Sequence, residues 1–229
     1  MPPNPGLIIF DCDGVLIDSE IISARMLIAA LADRGVIIDL PYVSRHFLGR
    51  SYPVVMQNIR QDFGLDLPPE FEADYRERLL EGFRQGLTIM PGVRAVLERL
   101  ALPWCVATSS SPRRAEMSLT LVGLWPLVEG RLFTASQVAR GKPAPDLFLH
   151  AAARMGTDPA RTLVIEDSLT GIQAARAAGM TVWRFTGGSH MGASEDTDGP
   201  PDPPEAIPHR KFASFADFFQ IAPQLENQA

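Results

Sequence analysis

The stretch Leu7-Ile8-Ile9-Phe10-Asp11-Cys12-Asp13-Gly14-Val15 decides how the rest of the chain is read. Four consecutive apolar residues give way at once to two aspartates and a glycine. So short a run, closed by turn residues, predicts a strand buried on both faces. Such strands belong to parallel sheets sandwiched between helices. Similar runs recur at residues 104–107, 163–165 and 181–185. Helical patterns lie among them. One covers 112–122, with a proline near its start. A second covers 145–155. A third covers 168–178, with Ser168 as N-cap and Gly179 as its stop. Strands alternating with helices predict an α/β fold with a Rossmann-like parallel sheet, its helices on both faces.

One block breaks that rhythm. Between residues 19 and 88 the pattern is helical and holds no convincing buried strand. Ile21, Ala24, Leu27, Ile28 and Leu31 form an apolar stripe at helical spacing that ends near Gly35. Residues 51–63 and 69–83 are further helical segments. The organisation expected is therefore a core made of residues 1–17 and 89–229, interrupted after its first strand by a small all-helical unit over 18–88. Residues 187–208, rich in Gly, Pro, Ser and Asp, read as a loop. Residues 212–221 return to apolar character and read as a last helix on the core.

Bulk properties narrow the function classes. The chain has 229 residues, 46% hydrophobic and 21% charged, enough for a globular core. Its net charge of −6 speaks against binding to nucleic acid or to anionic membranes, which requires clustered Lys and Arg. A small phosphorylated ligand needs only a local positive site. The two cysteines, Cys12 and Cys105, stand in no metal-ligand spacing and make no disulfide framework. No apolar run nears the roughly 20 residues of a membrane span, and the start lacks the pattern of a signal peptide. A cytoplasmic protein, monomeric or a weak homo-oligomer, is expected.

In an open α/β sheet, ligands bind at the carboxyl ends of the strands. Four polar clusters fall there: Asp11 and Asp13; Thr108-Ser109-Ser110-Ser111; Lys142 in Gly141-Lys142-Pro143-Ala144-Pro145-Asp146; and Glu166-Asp167-Ser168. Each alone has a plainer reading. The aspartates could be turn formers, the hydroxyl run a helix cap and Lys142 a surface lysine. Their convergence on one rim favours chemistry. Several carboxylates in one site repel one another and call for a cation. Hard oxygen ligands with an open position suit Mg²⁺. Hydroxyls, backbone N–H groups and an ammonium make a cradle for a phosphoryl group. One carboxylate can serve as nucleophile, and a second, two residues on, as general acid and base.

These four segments, in this order over nearly the whole chain, resemble the four motifs of the haloacid dehalogenase-like hydrolase superfamily. They look most like its β-phosphoglucomutase-like capped branch, whose helical cap follows the first motif. The resemblance implies that Asp11 is the nucleophile and Asp13 the general acid/base, its backbone carbonyl also reaching the metal. It implies that Thr108 and Ser109 hold the phosphoryl group with Lys142. Asp11, Asp13, Glu166 and Asp167 would make up the Mg²⁺ site. Leu48-Gly49-Arg50-Ser51 resembles the cap segment that closes over substrate, which makes Gly49, Arg50 and Ser51 candidate substrate contacts. Cys12 reads as packing, Asp18 and Ser19 as caps of the first inserted helix, and Asp146 as an early-helix carboxylate. His46, His150, His190 and His209 follow no ligand spacing. Trp104, Trp125 and Trp183 read as core.

The neighbouring activities are separable. Dehalogenases of the superfamily depart from Asp at the position of Asp13. A phosphonate hydrolase would carry a lysine early in the cap, and residues 20–34 contain none. A sugar-phosphate mutase of this branch carries a histidine near position 23, where this chain has Ser23. A receiver domain, a non-catalytic phospho-switch, is about half this length and has no acid/base two residues past its aspartate. The expected activity is Mg²⁺-dependent hydrolysis of a small phosphorylated metabolite, a sugar or sugar-acid phosphate such as 6-phosphogluconate. The mutase is the alternative.

Overall fold

The structure, a computed structural model, describes residues 5–47, 50, 52–65, 67–192 and 203–227. Strand β1 (Leu7–Phe10) is wholly buried. Its side chains alternate between two cores, as strand geometry demands. Ile8 and Phe10 face one apolar layer with Trp104, Val106, Leu163 and Ile165. Leu7 and Ile9 face the other, with Cys105, Ala107, Leu147, Phe148 and Val164. A run apolar at every position is what a strand covered on both sides requires.

Five more strands complete the sheet: β2 (Trp104–Thr108), β3 (Leu132–Thr134), β4 (Thr162–Glu166), β5 (Thr181–Phe185) and β6 (Arg210–Phe212). Every neighbouring pair is parallel, in the order β3-β2-β1-β4-β5-β6. The chain winds outward one way from β1 through β2 and β3, and the other way from β4 onward. The carboxyl ends of β1, β2 and β4 flank this reversal, where such sheets open a crevice. The expected strands are present. β3 and β6 are additional, both short and both at sheet edges.

Between β1 and β2 run α1 (Glu20–Ala32), α2 (Leu40–His46), α3 (Tyr52–Phe63), α4 (Pro69–Gly86) and α5 (Val93–Arg99). The first four share their own apolar cluster, including Leu27, Leu31, Phe47, Ile59, Phe71, Leu79 and Phe83. The chain enters and leaves this helical group through two adjacent segments. Asp18 N–H donates to Thr88 O (2.9 Å) and Met90 N–H to Leu16 O (2.9 Å).

Helices α6 (Pro112–Leu121), α7 (Trp125–Val128), α8 (Asp146–Arg154) and α9 (Leu169–Ala177) connect the later strands. Ser168 caps α9 as expected, its Oγ accepting from Gly171 N–H (3.1 Å). The expected loop over 187–208 is only partly a loop: α10 (Ser189–Gly192) and a 3₁₀ turn at Pro204–Ala206 lie within it, and residues 193–202 fall outside the described ones. The expected helix over 212–221 is only partly formed: Phe212 ends β6, and a 3₁₀ turn at Phe215–Asp217 leads into α11 (Phe218–Ile221). Phe212, Phe215 and Phe218 pack there on Phe185 and Trp183 and anchor the chain's end to the core. Trp104 and Trp183 are buried and Trp125 is partly buried against the same core. Cys12 and Cys105 are fully buried among apolar side chains.

Candidate active site

Asp11 and Asp13 follow β1 directly, and the turn they open needs Gly14. Its φ is +79°, and a Cβ there would overlap the Asp167 carboxylate. Thr108 ends β2, Glu166 ends β4 and Asp167 follows it. Lys142 arrives from the loop before α8. The structure brings these side chains to one rim, nearly all buried from solvent.

Two linked groups make up the site. In the first, Lys142 Nζ donates to Asp11 Oδ1 (2.5 Å), Glu166 Oε1 (2.7 Å) and Ala107 O (3.2 Å). Glu166 Oε2 accepts from Ser168 N–H (2.7 Å) and Oγ–H (3.0 Å). Ligand atoms of Asp11, Glu166 and Asp167 lie within 4.8 Å of one another. One ammonium thus pairs with two carboxylates, and a third lies beside them. Burial opposes the Lys142 charge, but Asp11 and Glu166 hold that ammonium well above the usual lysine value. Burial pushes Asp11 well above the ordinary carboxylate range. Lys142 resists that shift, while Glu166, Asp167 and Asp13 add to it. Burial and the adjacent Glu166 raise Asp167 in the same way, against Lys142. A compact set of hard oxygen donors short of positive charge fits a divalent cation such as Mg²⁺.

In the second group the Asp13 carboxylate points away from that cluster. Oδ1 accepts from Ser19 Oγ–H (2.6 Å) and Arg114 Nη2–H (2.9 Å). Oδ2 accepts from Ser110 Oγ–H (2.6 Å) and Thr108 Oγ1–H (3.3 Å). Burial alone would raise Asp13, but the Arg114 guanidinium and the bonds from Ser110, Ser19 and Arg114 hold its carboxyl below the usual range. The two aspartates, two residues apart, are driven in opposite directions.

Several of these residues escaped sequence reasoning. Ser19 holds the N-cap position of α1 but does not cap it with its side chain: the hydroxyl serves Asp13 instead. Asp18 does not cap α1 either: its Oδ1 accepts from Ser189 N–H (3.1 Å) and Oγ–H (2.9 Å) at the start of α10. Of the hydroxyl run, Ser110 joins Thr108 at Asp13, Ser109 is half-buried at the end of β2, and Ser111 caps α6. Period-two alternation beyond β2 was the available signal, since it puts positions 108 and 110 on one side. Arg114 also donates to Ser23 Oγ (3.1 Å) and stacks over Phe83 at 5.3 Å, so it ties Asp13 to α1 and α4. Glu20, opening α1, has its carboxyl pushed up to about 8 by burial and by Asp13 and Asp167. His190 Nε2 lies 3.0 Å from Asp167 Oδ2. Burial keeps that imidazole below its usual value, against the pull of Glu20 and Asp18. Arg50 is half-buried in a bend after α2, its N–H on Phe47 O (3.3 Å); Gly49 and Ser51 lie outside the described residues. Asp146 opens α8 as expected and pairs with Arg140 (2.9 Å).

Known proteins resemble this chain in sequence and fold. The sequence model of the haloacid dehalogenase-like hydrolases matches residues 5–179. The 6-phosphogluconate phosphatase of Escherichia coli K12 is 28% identical over 184 residues, covering 80% of this chain and 83% of that protein. A phosphorylated carbohydrates phosphatase of Thermotoga maritima is 30% identical over 182 residues, 76% of this chain and 81% of its own. The crystal structure of a haloacid dehalogenase-like protein from Agrobacterium tumefaciens superposes with a TM-score of 0.79 at 34% identity, covering 96% of this chain and 99% of that one. This chain is an enzyme of the haloacid dehalogenase-like hydrolase family.

Proposed function

We propose that this hydrolase is a Mg²⁺-dependent phosphatase that cleaves a small sugar or sugar-acid phosphate through an aspartyl-phosphate on Asp11. The observation that carries the reading is the division of labour between the two aspartates. Asp11 sits with Lys142 and the carboxylate cluster, while Asp13 sits apart among hydroxyls and Arg114. Two carboxyls of one motif with such different partners are suited to separate roles, and the raised value of Asp11 is one that a bound cation would bring down. The named substrates of the two curated relatives, 6-phosphogluconate and phosphorylated carbohydrates, support the substrate class.

Mg²⁺ would be held by Asp11 and Asp167, with Glu166 and the Asp13 carbonyl, and when bound supplies the charge that keeps Asp11 ionised beside an anionic substrate. Lys142, Thr108 and Ser109 bind the phosphoryl oxygens. An Asp11 oxygen attacks phosphorus as the bond to the leaving oxygen breaks. That oxygen takes a proton from Asp13, whose carboxyl, ionised in the free enzyme, is raised toward its protonated form by the anionic phosphoryl group bound beside it. Water then attacks the phosphoryl group, giving its proton to Asp13, and inorganic phosphate leaves Asp11 as a carboxylate. Asp13 Oδ2 is the oxygen suited to this traffic. Its partners, Ser110 and Thr108, are hydroxyls that can turn from donor to acceptor when it carries a proton. Residues 18–88 serve as a cap over a core of 1–17 and 89–229, and Arg50 contributes to the substrate side.

Nothing at Ser23 favours the mutase reading. Its Oγ donates to Ser19 O (2.9 Å) and accepts from Arg114, and a hydroxyl so engaged offers no proton shuttle. The deciding experiment supplies Mg²⁺ and small phosphate monoesters and follows inorganic phosphate. Release that EDTA stops supports the reading. Interconversion of hexose 1- and 6-phosphates with little free phosphate would establish the mutase instead.

A glycine gives a second check. Gly171 sits in the first turn of α9, and a Cβ there would land inside the Glu166 carboxylate. Gly171→Ala should improve helix propensity by up to about 1 kcal/mol. It should nonetheless lower kcat by ~10²-fold, the scale of a 1 Å misplacement, because Glu166 can no longer hold Lys142 in place. Activity and melting temperature, measured together, separate the two effects. Unchanged kcat would show that Glu166 is free to shift.

A further inference from the structure

His190 belongs to no motif of the site, yet it is built into it. Its imidazole is 6% exposed, with Nε2 3.0 Å from Asp167 Oδ2. Its Nδ1 is buried and has no hydrogen-bond partner among the described residues. An imidazole whose one satisfied nitrogen faces a carboxylate is oriented by that bond, and it orients the carboxylate in return. The surroundings are cut to the ring. A Cβ on Gly188 would stand 2.6 Å from His190 Cε1, and one on Gly14 would stand 3.1 Å from it. The short helix bearing the ring is pinned from outside, since Ser189 donates twice to Asp18 just before α1. Asp167 is held at its other end as well, where Arg184 Nε–H donates to its carbonyl (3.0 Å). Both restraints on Asp167 come from β5 and the segment that follows it.

We propose that His190 is a positioning residue: its Nε2–H fixes the Asp167 carboxylate in the orientation a divalent cation requires, and the segment 187–192 is thereby part of the metal centre. The inference rests on the reading of Asp167 as a metal ligand. A single N–H donor from a ring held in place by its surroundings fixes one carboxylate oxygen and leaves the other open to the ion. Partners that orient metal ligands from outside the coordination shell commonly contribute 10- to 100-fold in metal affinity.

The test titrates Mg²⁺ calorimetrically into chelator-treated full-length protein. Alongside it run the melting temperature of the metal-free protein and the Mg²⁺ concentration that half-activates phosphate release. His190→Ala should weaken Mg²⁺ binding by roughly 10- to 100-fold, with kcat largely recovered at saturating Mg²⁺. His190→Gln, which keeps an N–H donor at similar reach, should recover most of the affinity. A merely structural histidine would lower the metal-free melting temperature and leave Mg²⁺ affinity unchanged, and that result overturns the proposal. If His190→Ala does not fold, Gly188→Ala displaces the ring instead. Wild-type affinity in that variant overturns the proposal equally. Asp167→Asn is the control for the underlying reading. Wild-type protein that binds no Mg²⁺, or Asp167→Asn that binds it normally, defeats the metal assignment itself. Normal binding by wild type and by His190→Ala alike defeats only the role of His190.

Discussion

Asp11→Asn is expected to lower kcat by ~10⁴-fold or more, the scale on which removal of a covalent nucleophile acts, while the protein stays folded. The amide is nearly isosteric with the carboxylate. It still offers an oxygen to Lys142 Nζ, which stands 2.5 Å from Asp11 Oδ1 and keeps Glu166 as its second partner. What is lost is the attacking oxygen. Stability should move the other way or not at all. Asp11 is buried, and its raised pKa means that ionising it opposes folding. A neutral side chain removes that opposition, so the melting temperature at pH 8 should match or exceed that of the wild type. Phosphate release and thermal unfolding on one preparation decide the matter. Normal turnover would show that Asp11 is not the nucleophile. Lost turnover with a collapsed melting temperature would point to a structural role.

Lys142→Met should be damaging in both respects. Its side chain is 1% exposed and bridges two buried carboxylates. Methionine fills the volume but leaves Asp11 and Glu166 without their cation. Removing one partner of a buried pair costs about 3–5 kcal/mol, and losing a charged donor at a phosphoryl site about 10²–10³ in kcat. The stability loss carries a pH signature. Lys142, with its raised value, stabilises the fold throughout the range below the ordinary lysine pKa. Asp11, also raised, holds its proton more tightly folded than unfolded. At pH below the ordinary aspartate value near 3.8 it is protonated in both states and incurs no penalty. As pH climbs from there toward the raised folded value, the penalty grows, and without Lys142 it grows further. Urea unfolding of metal-free protein should therefore show a large deficit at pH 7.5 and a smaller one at pH 5. Equal deficits would mean that lost packing, not unpaired charge, is responsible.

The parts of the fold legible in the sequence are those whose local pattern and tertiary role coincide. β1, β2, β4 and β5 are central or nearly so, buried on both faces, and announce themselves as apolar runs. β3 has three residues, and β6 reads Arg210-Lys211-Phe212 with its two cations exposed. At a sheet edge the partner strand supplies the order, so neither segment needs a pattern of its own. Helices α2 and α5, seven residues each, are too short for a periodic signal. The same division governs the site. Asp11, Thr108, Glu166 and Asp167 stand at the ends of recognisable strands, so the strand rule places them together, and Lys142 joins them from the loop before α8. Ser19, Arg114 and His190 reach the same place by side-chain length and helix orientation. Nothing local marks them: Arg114 is one of two adjacent arginines, and His190 follows a glycine pair in a polar stretch.

The two cysteines bear on a practical matter. Cys12 and Cys105 are shut inside the two apolar layers, where burial pushes both thiols up, Cys105 to about 12. Thiolate, not thiol, is what maleimides and iodoacetamides attack. The folded enzyme is accordingly silent toward such labels, even though one sulfur lies between the two aspartates of its first motif. A dye-bearing cysteine introduced at Ile37, which is 82% exposed on the helical side, would stand alone as a reporter with the native residues left in place.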